Sequence, residues 1–101
     1  MINIEDLPIK DLPRVENMVS NAGNLIANQF LLKGKGYTLF KSYDSPIALI
    51  DCNNKVYIFS DWNYSTTTGK YRNIFLSETK PETLKKLKSG EYTPVGWELW
   101  N

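Results

Sequence analysis

Residues 37–60, YTLFKSYDSPIALIDCNNKVYIFS, carry the strongest structural signal in this chain of 101 residues. Apolar, β-branched and aromatic residues fill three runs, and residues typical of turns separate them. The runs are Tyr37–Tyr43, Pro46–Asp51 and Lys55–Ser60. Connections this short join antiparallel neighbours, because parallel strands need long crossovers. The segment therefore predicts an antiparallel meander.

The dipeptide Asn53-Asn54 predicts a two-residue type I′ turn, because asparagine tolerates the positive φ that such a turn needs. This turn would place Ile50 opposite Tyr57 and Ala48 opposite Phe59. Both faces of the hairpin would then be apolar. We expect one face to lie under helices. The face with Tyr57 and Phe59 is interpreted as covered core, with a recognition surface as the alternative.

The segment before residue 37 predicts one further strand and one helix. Gln29–Lys33 is a fourth strand-like run, joined to Tyr37 by Lys33-Gly34-Lys35-Gly36. Farther upstream, apolar residues recur with helical spacing. They are Val15, Met18, Val19 and Ala22. This spacing predicts a helix near residues 12–22, with Asp11 as its cap and Pro13 in its first turn.

Two helices are expected after residue 65. A threonine of the run 66–68 can cap the first, which should end near Leu76 with Arg72 facing solvent. Thr79-Lys80-Pro81-Glu82 forms a capping box for the second, and Gly90 ends it. In the tail, Trp97, Leu99 and Asn101 alternate with Glu98 and Trp100, a spacing that suits a terminal edge strand.

Together these patterns predict one α+β domain spanning residues 1–101. It would comprise an N-terminal helix, a three- to five-stranded antiparallel meander, and two C-terminal helices packed on one face.

Composition favours a binding protein over an enzyme. The chain has no histidine and one cysteine, which excludes zinc sites of His and Cys ligands and Ser-His or Cys-His catalytic pairs. No phosphate-binding glycine motif is present. We therefore predict no catalytic residue, no metal and no cofactor. The formal net charge is +1, which is neither the acidic surface of a DNA mimic nor a strongly basic chain.

The location expected from the sequence is the cytoplasm. No apolar run approaches the roughly 20 residues that cross a bilayer. Residues 1–10 contain Glu5 and Asp6 and do not have the pattern of a signal peptide.

The candidate binding residues lie between residues 62 and 88. Trp62 and Tyr64 could stack on nucleobases or insert into a partner, although Trp62 could instead cover a strand–helix junction. The hydroxyl groups of residues 65–68, at the start of the first helix, could bind a phosphate. The alternative is helix capping, for which one hydroxyl suffices. The basic lysines of the second helix could form a nucleic-acid face or a solvated one. The full set is Trp62, Tyr64, Thr67, Lys70, Tyr71, Arg72, Lys85, Lys86 and Lys88.

The same region resembles a family of short proteins encoded by phages and mobile elements, mainly of Gram-positive bacteria. The matched pattern is Ser42-Tyr43, Ile47-Ala48, Trp62-x-Tyr64-Ser65-x-Thr67-Thr68-x-Lys70-Tyr71 and Phe75-Leu76. The resemblance covers about residues 38–90. It implies no particular activity, because the family has none firmly assigned.

Small proteins encoded by phages and mobile elements often counter host defences. By this analogy the resemblance suggests a function. The leading hypothesis is a non-enzymatic interaction protein in the host cytoplasm that inhibits a defence system. Its most concrete form is an anti-CRISPR protein that blocks Cas9, or its loading with guide RNA, by steric occlusion. The alternative is a nucleic-acid-binding accessory protein in phage replication or gene regulation, whose affinity would fall steeply with salt.

Overall fold

One mixed β-sheet and two helices make up residues 14–96, the part of the chain that the computed structural model describes. The sheet has the strand order β1-β2-β3-β4-β5-β6. The first five strands pair antiparallel, and β6 pairs parallel with β5. The elements are β1 Arg14–Val19, β2 Leu25–Gly34, β3 Tyr37–Ser42, β4 Ser45–Asp51, β5 Val56–Phe59, α1 Thr66–Leu76, α2 Lys80–Ser89 and β6 Thr93–Val95.

The predicted architecture was wrong about the sheet. The four predicted strand runs overlap β2 to β5, although β2 begins at Leu25, four residues before the predicted run. Within residues 14–96 the sheet has six strands and is mixed. The sixth strand follows the two helices, which form the long crossover that a parallel pair requires. The turn signals could not reveal this pairing, because β5 and β6 are separated by both helices.

The predicted N-terminal helix was also wrong over the described residues, because Arg14–Val19 is the edge strand β1. The register with β2 shifts between Asn17 and Val19. Such a bulge adds one residue to a period of two, so apolar residues recur after three and four positions and imitate a helix. The proposed start at residues 11–13 lies outside the described residues, as does the proposed tail strand over residues 97–101.

The hairpin between β4 and β5 differs from the prediction by one position. Its loop has three residues, 52–54, and Ile50 pairs with Val56 instead of Tyr57. Asp51 explains the longer loop: its Oδ1 accepts hydrogen bonds from the backbone N–H of Asn53 and of Lys55, both at 2.9 Å. Asn54 has a φ of 63°, as the last residue of such a loop requires. A one-residue slip exchanges the faces of a strand, so the predicted face assignments fail with the register.

Apolar side chains are buried on both faces of the sheet. The helices cover one face, where Phe40 and Phe75 bring their ring centroids to 5.8 Å. The buried members of this cluster are Met18, Phe40, Ile47, Ala48, Ile58 and Tyr92. The second cluster is built from strand residues in the described part of the chain. Its buried members are Leu32, Tyr37, Leu39, Leu49, Tyr57, Phe59 and Val95.

Gln29 is a polar exception within this interior. Its side chain is fully buried in β2 opposite Ser42, and neither amide atom has a hydrogen-bond partner among the described residues. An unpaired buried polar group costs about 1–3 kcal/mol.

Candidate functional site

The beginning of α1 is held by hydroxyl groups that also join it to the sheet. Ser65 caps the helix, and its Oγ accepts a hydrogen bond from the Thr68 backbone N–H at 3.0 Å. Thr68 is buried, and its Oγ1 lies 2.9 Å from the Oγ of Ser42 in β3. Two of the four consecutive hydroxyls therefore have structural roles. Thr67 is exposed.

Arg72 is the most unusual residue of this region. Its side chain is 1% exposed, whereas the sequence predicted that it faces solvent. Nη1 donates to the carbonyl oxygen of Trp62 at 2.7 Å, and Nη2 donates to Oδ1 of Asn73 at 2.9 Å. The guanidinium also lies 5.0 Å from the centroid of the Trp62 ring. The prediction failed because the helix period by itself did not show that the turn around Trp62 folds back over α1.

The charge of Arg72 lacks a counterion among the described residues. No ion pair joins it to a carboxylate there, and its Nε has no hydrogen-bond partner. Burial lowers the pKa of Arg72, and the negative charge of Glu78 opposes that shift. A buried charge is costly unless it is paired, so an anion nearby would stabilise this guanidinium.

Arg72 lies in the wall of a cleft of about 570 Å³ beside the first turns of α1 and the start of α2. Every charged residue that lines the cleft is a cation. The lining residues are Asn63, Ser65, Thr66, Gly69, Lys70, Arg72, Asn73 and Lys80. Gly69 packs close to the guanidinium, since a Cβ at this position would lie 3.6 Å from Nη2, at ordinary van der Waals contact.

The cleft has the electrostatic character of a phosphate site. The N-terminus of a helix carries partial positive charge and free N–H groups, and the first turn of α1 has no acidic residue to neutralise them. Lys70 and Lys80 are exposed at the cleft and add two mobile cations. Arg72 adds a fixed, buried positive charge to the wall of the cleft.

An exposed aromatic pair lies beside the cleft. Tyr43, in the turn after β3, and Tyr64, in the turn before α1, are 42% and 48% exposed. Their ring centroids are 6.4 Å apart in an edge-to-face arrangement. Tyr64 is flanked in sequence by Asn63 and Ser65, which both line the cleft. Neither tyrosine of this aromatic pair, Tyr43 with Tyr64, lines the cleft, but Tyr64 is one residue along the chain from two residues that do.

Two other predicted residues of the α1 region, Trp62 and Tyr71, are accounted for by packing. Trp62 is half-buried and packs against the helix-covered core, which agrees with the interpretation that it covers a strand–helix junction. Tyr71 packs against the same core. The Lys70 Nζ lies 5.3 Å from the centroid of the Tyr71 ring, so these two predicted residues are brought together.

The predicted lysines of α2 are not brought to the cleft. Lys85 and Lys88 are exposed, and neither lines the cleft. Lys86 is half-buried, and its Nζ lies 2.8 Å from a carboxylate oxygen of Glu78. Their role in nucleic-acid binding stays a prediction. Glu82 and Glu91 lie beside Lys85 and Lys86 in a separate small pocket, so that surface has mixed charge.

Sequence reasoning did not place Tyr43 in the site. The available signal was the Ser42-Tyr43 motif in the pattern of the resembling family. Lys80 belongs in sequence to the capping box of the second helix, and its position in a cleft with Arg72 depends on how the two helices meet.

The model of a protein family matches residues 14–91. The chain belongs to a family of unknown function, DUF8033. The DUF8033 region contains every lining residue of the cleft and both tyrosines of the aromatic pair. Among curated proteins and solved structures, no match to the chain was found. Within residues 14–96, no helix is long and apolar enough to cross a membrane.

Proposed function

We propose that this DUF8033 protein is a non-enzymatic nucleic-acid-binding protein that holds a backbone phosphate in the cationic cleft. One observation carries the proposal: Arg72 is a buried guanidinium without a counterion among the described residues, and it lies in a cleft whose charged lining residues are all cations. A phosphate supplies the missing negative charge.

The geometry of Arg72 supports this choice of anion. Two hydrogen bonds, to Trp62 and Asn73, fix the orientation of the guanidinium. Its Nε has no hydrogen-bond partner among the described residues but is buried, so Arg72 would act on a phosphate as a fixed positive charge behind the exposed Lys70 and Lys80. Because the group is already fixed and desolvated, binding costs little further side-chain entropy.

The modest charge of the chain limits the size of this interaction. With a net charge of +1, the protein does not attract a long polyanion over its whole surface. The cleft instead fits a contact with one to three phosphates. The logarithm of the affinity should then fall with the logarithm of the salt concentration with a slope of about −1 to −3.

Charge reversal at the rim of the cleft tests the proposal. In fluorescence anisotropy with a labelled 12-nucleotide oligothymidine, we expect Lys70→Glu combined with Lys80→Glu to weaken binding by about tenfold or more, because both lysines lie at the phosphate site. Lys85→Glu combined with Lys88→Glu is the matched control, since it changes the net charge equally at exposed positions outside the cleft. We expect less than about a twofold effect there.

Two results would contradict the proposal. If the wild-type protein does not bind the oligonucleotide, the nucleic-acid function is wrong. If both double variants lose affinity equally, binding depends on the overall charge and not on the cleft.

A second candidate function is inhibition of a host defence protein in the bacterial cytoplasm, with Cas9 as the most concrete target. Val19 and Ile74 favour a protein partner, because they are 55% and 57% exposed at a pocket of about 200 Å³ that also contains Met18, Ile26 and Tyr71. Tagged protein and purified Cas9 with guide RNA can be tested by pull-down with and without nuclease. Stoichiometric recovery in both samples would support this candidate, and recovery only without nuclease would support nucleic-acid binding.

A further inference from the structure

We propose that the site selects single-stranded nucleic acid by stacking an unpaired base on the aromatic pair of Tyr43 and Tyr64. This inference rests on the proposed function, which supplies the phosphate contact, but a different observation carries it. The two tyrosine rings are exposed and in edge-to-face contact, and Tyr64 lies in the chain between two residues that line the cleft.

The exposed rings match the chemistry of a nucleobase. Base–aromatic stacking tolerates any sequence, because every base has a π-face. In a duplex both faces of a base are covered by its neighbours, so only an unpaired base can stack on a protein side chain. A cationic groove beside aromatic rings is the arrangement by which proteins bind single strands without reading their sequence.

The backbone conformation of Tyr43 is unfavourable for a bulky residue, so the turn itself does not explain the presence of a tyrosine. Tyr43 has a φ of 55° at the first loop position between β3 and β4. Two-residue turns need a positive φ at this position and favour glycine, asparagine or aspartate, whereas a bulky residue there is strained. A hydrogen bond of 2.7 Å from the Tyr43 N–H to the carbonyl oxygen of Asn28 holds the conformation. Strain of this kind concentrates at functional positions.

The aromatic pair and the cleft are fixed relative to each other. Ser42, the residue before Tyr43, shares a buried hydrogen bond with Thr68 of α1. Ser65 donates to the same Thr68 oxygen at 3.0 Å, and Ser65 lines the cleft. The turn that carries Tyr43 and the helix terminus that lines the cleft are therefore joined by one hydroxyl chain. This rigidity suits a base and its adjoining phosphate, whose spacing is set by the sugar.

The test compares three labelled probes at one salt concentration: a 12-nucleotide oligothymidine, a 12-nucleotide oligouridine and a 12-base-pair DNA duplex. We expect the wild-type protein to bind at least one of the single strands about tenfold more tightly than the duplex. The two single strands distinguish DNA from RNA as the ligand.

Tyr43→Asn and Tyr64→Ala test the stacking contact. Each should weaken single-strand binding by about fivefold or more and leave the weak duplex binding unchanged. Asparagine tolerates a positive φ, so Tyr43→Asn should not lower the Tm. Tyr64→Phe is the matched control, since it keeps the ring, and should bind like the wild type. If Tyr43→Asn lowers the Tm, Tyr64→Ala still gives the decisive result.

The outcomes separate the two proposals. If duplex and single strand bind equally and only charge reversal at Lys70 and Lys80 matters, the phosphate site stands and the stacking inference is wrong. If both tyrosine variants bind single strands like the wild type, the inference is also wrong. If no probe binds, the proposed function itself fails.

Discussion

Arg72→Met is expected to weaken binding of a 12-nucleotide oligothymidine by at least about 30-fold, because truncating one partner of a buried charge pair costs about 2–5 kcal/mol. Methionine keeps much of the apolar stem that packs in the interior. The buried position and the absence of a counterion in the described part of the chain make this the largest effect on binding that we predict.

The same substitution should leave the unliganded protein folded. It removes the desolvation cost of an unpaired guanidinium, but it also removes the hydrogen bonds to Trp62 and Asn73. These contributions oppose each other, so we expect the free energy of unfolding to change by less than about 1.5 kcal/mol. Urea denaturation followed by circular dichroism measures this change alongside the affinity.

Gly69→Ala provides a second route to the same conclusion. Alanine is a better helix residue than glycine, so the Tm should not fall. Its Cβ would lie 3.6 Å from Nη2 of Arg72 and occupy space over the guanidinium. We expect weaker oligonucleotide binding at equal or higher stability.

If Arg72→Met binds the oligonucleotide like the wild type, the assignment of Arg72 to the phosphate site is wrong.

Glu78→Ala should cause the largest loss of stability among these variants, about 3 kcal/mol in the free energy of unfolding, because it removes a buried anion and leaves its donors unpaired. The Glu78 side chain is 3% exposed. Its carboxylate accepts hydrogen bonds from Lys86 Nζ at 2.8 Å, Tyr92 OH at 2.6 Å and Thr83 Oγ1. It thus joins the α1–α2 connection to α2 and to the segment that leads into β6.

Glu91→Ala is the matched control, because Glu91 also contacts Lys86. That contact is 3.9 Å long and the Glu91 side chain is 64% exposed, so its loss should cost less than about 0.5 kcal/mol. Urea denaturation of both variants distinguishes a buried network from a surface ion pair. Equal effects of the two substitutions would contradict the role assigned to Glu78.

The pH dependence of stability should report the same network. Burial alone would raise the pKa of Glu78, but hydrogen bonds from Lys86, Thr83 and Tyr92 outweigh it and lower the pKa below 4.5. The unfolded chain then binds a proton more readily than the folded one as the solution becomes acidic. The contribution of Glu78 is therefore complete above about pH 5 and is lost as the pH falls through the ordinary pKa and below.

At alkaline pH the sign is reversed. Burial and the hydrogen bond to Glu78 raise the pKa of Tyr92 to about 12, and the hydrogen bond to Glu78 also raises the pKa of Lys86. Both groups keep protons in the folded state that the unfolded state releases, so stability should fall above about pH 10. Urea midpoints from pH 3 to pH 11 measure both limits. Glu78→Ala should flatten the acidic limb, and an unchanged slope would contradict this assignment.

The network around Glu78 also bears on the binding site. Glu78 is the carboxylate whose charge acts on the pKa of Arg72, yet its oxygens are engaged by Lys86, Tyr92 and Thr83. No ion pair among the described residues therefore joins Glu78 to the guanidinium, while the nearby negative charge of Glu78 supports the protonated state of Arg72. The chain therefore holds a buried cation that an external anion can still stabilise.

Several elements could be predicted from the sequence because local chemistry determines them. The capping box at Thr79 and the stop at Gly90 predicted α2, and the structure shows the box and a left-handed Gly90. The runs between turn residues predicted the strands β2 to β5. Lys70, Arg72 and the hydroxyl run pointed to an anion at the start of α1, and four of these residues, Ser65, Thr66, Lys70 and Arg72, line the cleft.

Other features could not be predicted, because they depend on residues far apart in the chain. The bulge at Asn17 gave a strand the spacing of a helix, and only pairing with β2 shows which is present. The parallel pairing of β6 with β5 requires the path of both helices. The hairpin register depended on hydrogen bonds from the loop to Asp51, which a dipeptide pattern does not contain.

The sequence by itself determined where most of the regular elements lie and which cations lie in α1. It also excluded catalytic or zinc sites built from His and Cys. Only the tertiary structure decided that Arg72 is buried without a counterion in the described residues and that the ring of Tyr43 meets the ring of Tyr64. The physical reason is that turns, caps and periodicity act over a few residues. Burial, desolvation and side-chain contact depend on how the sheet and the helices pack together.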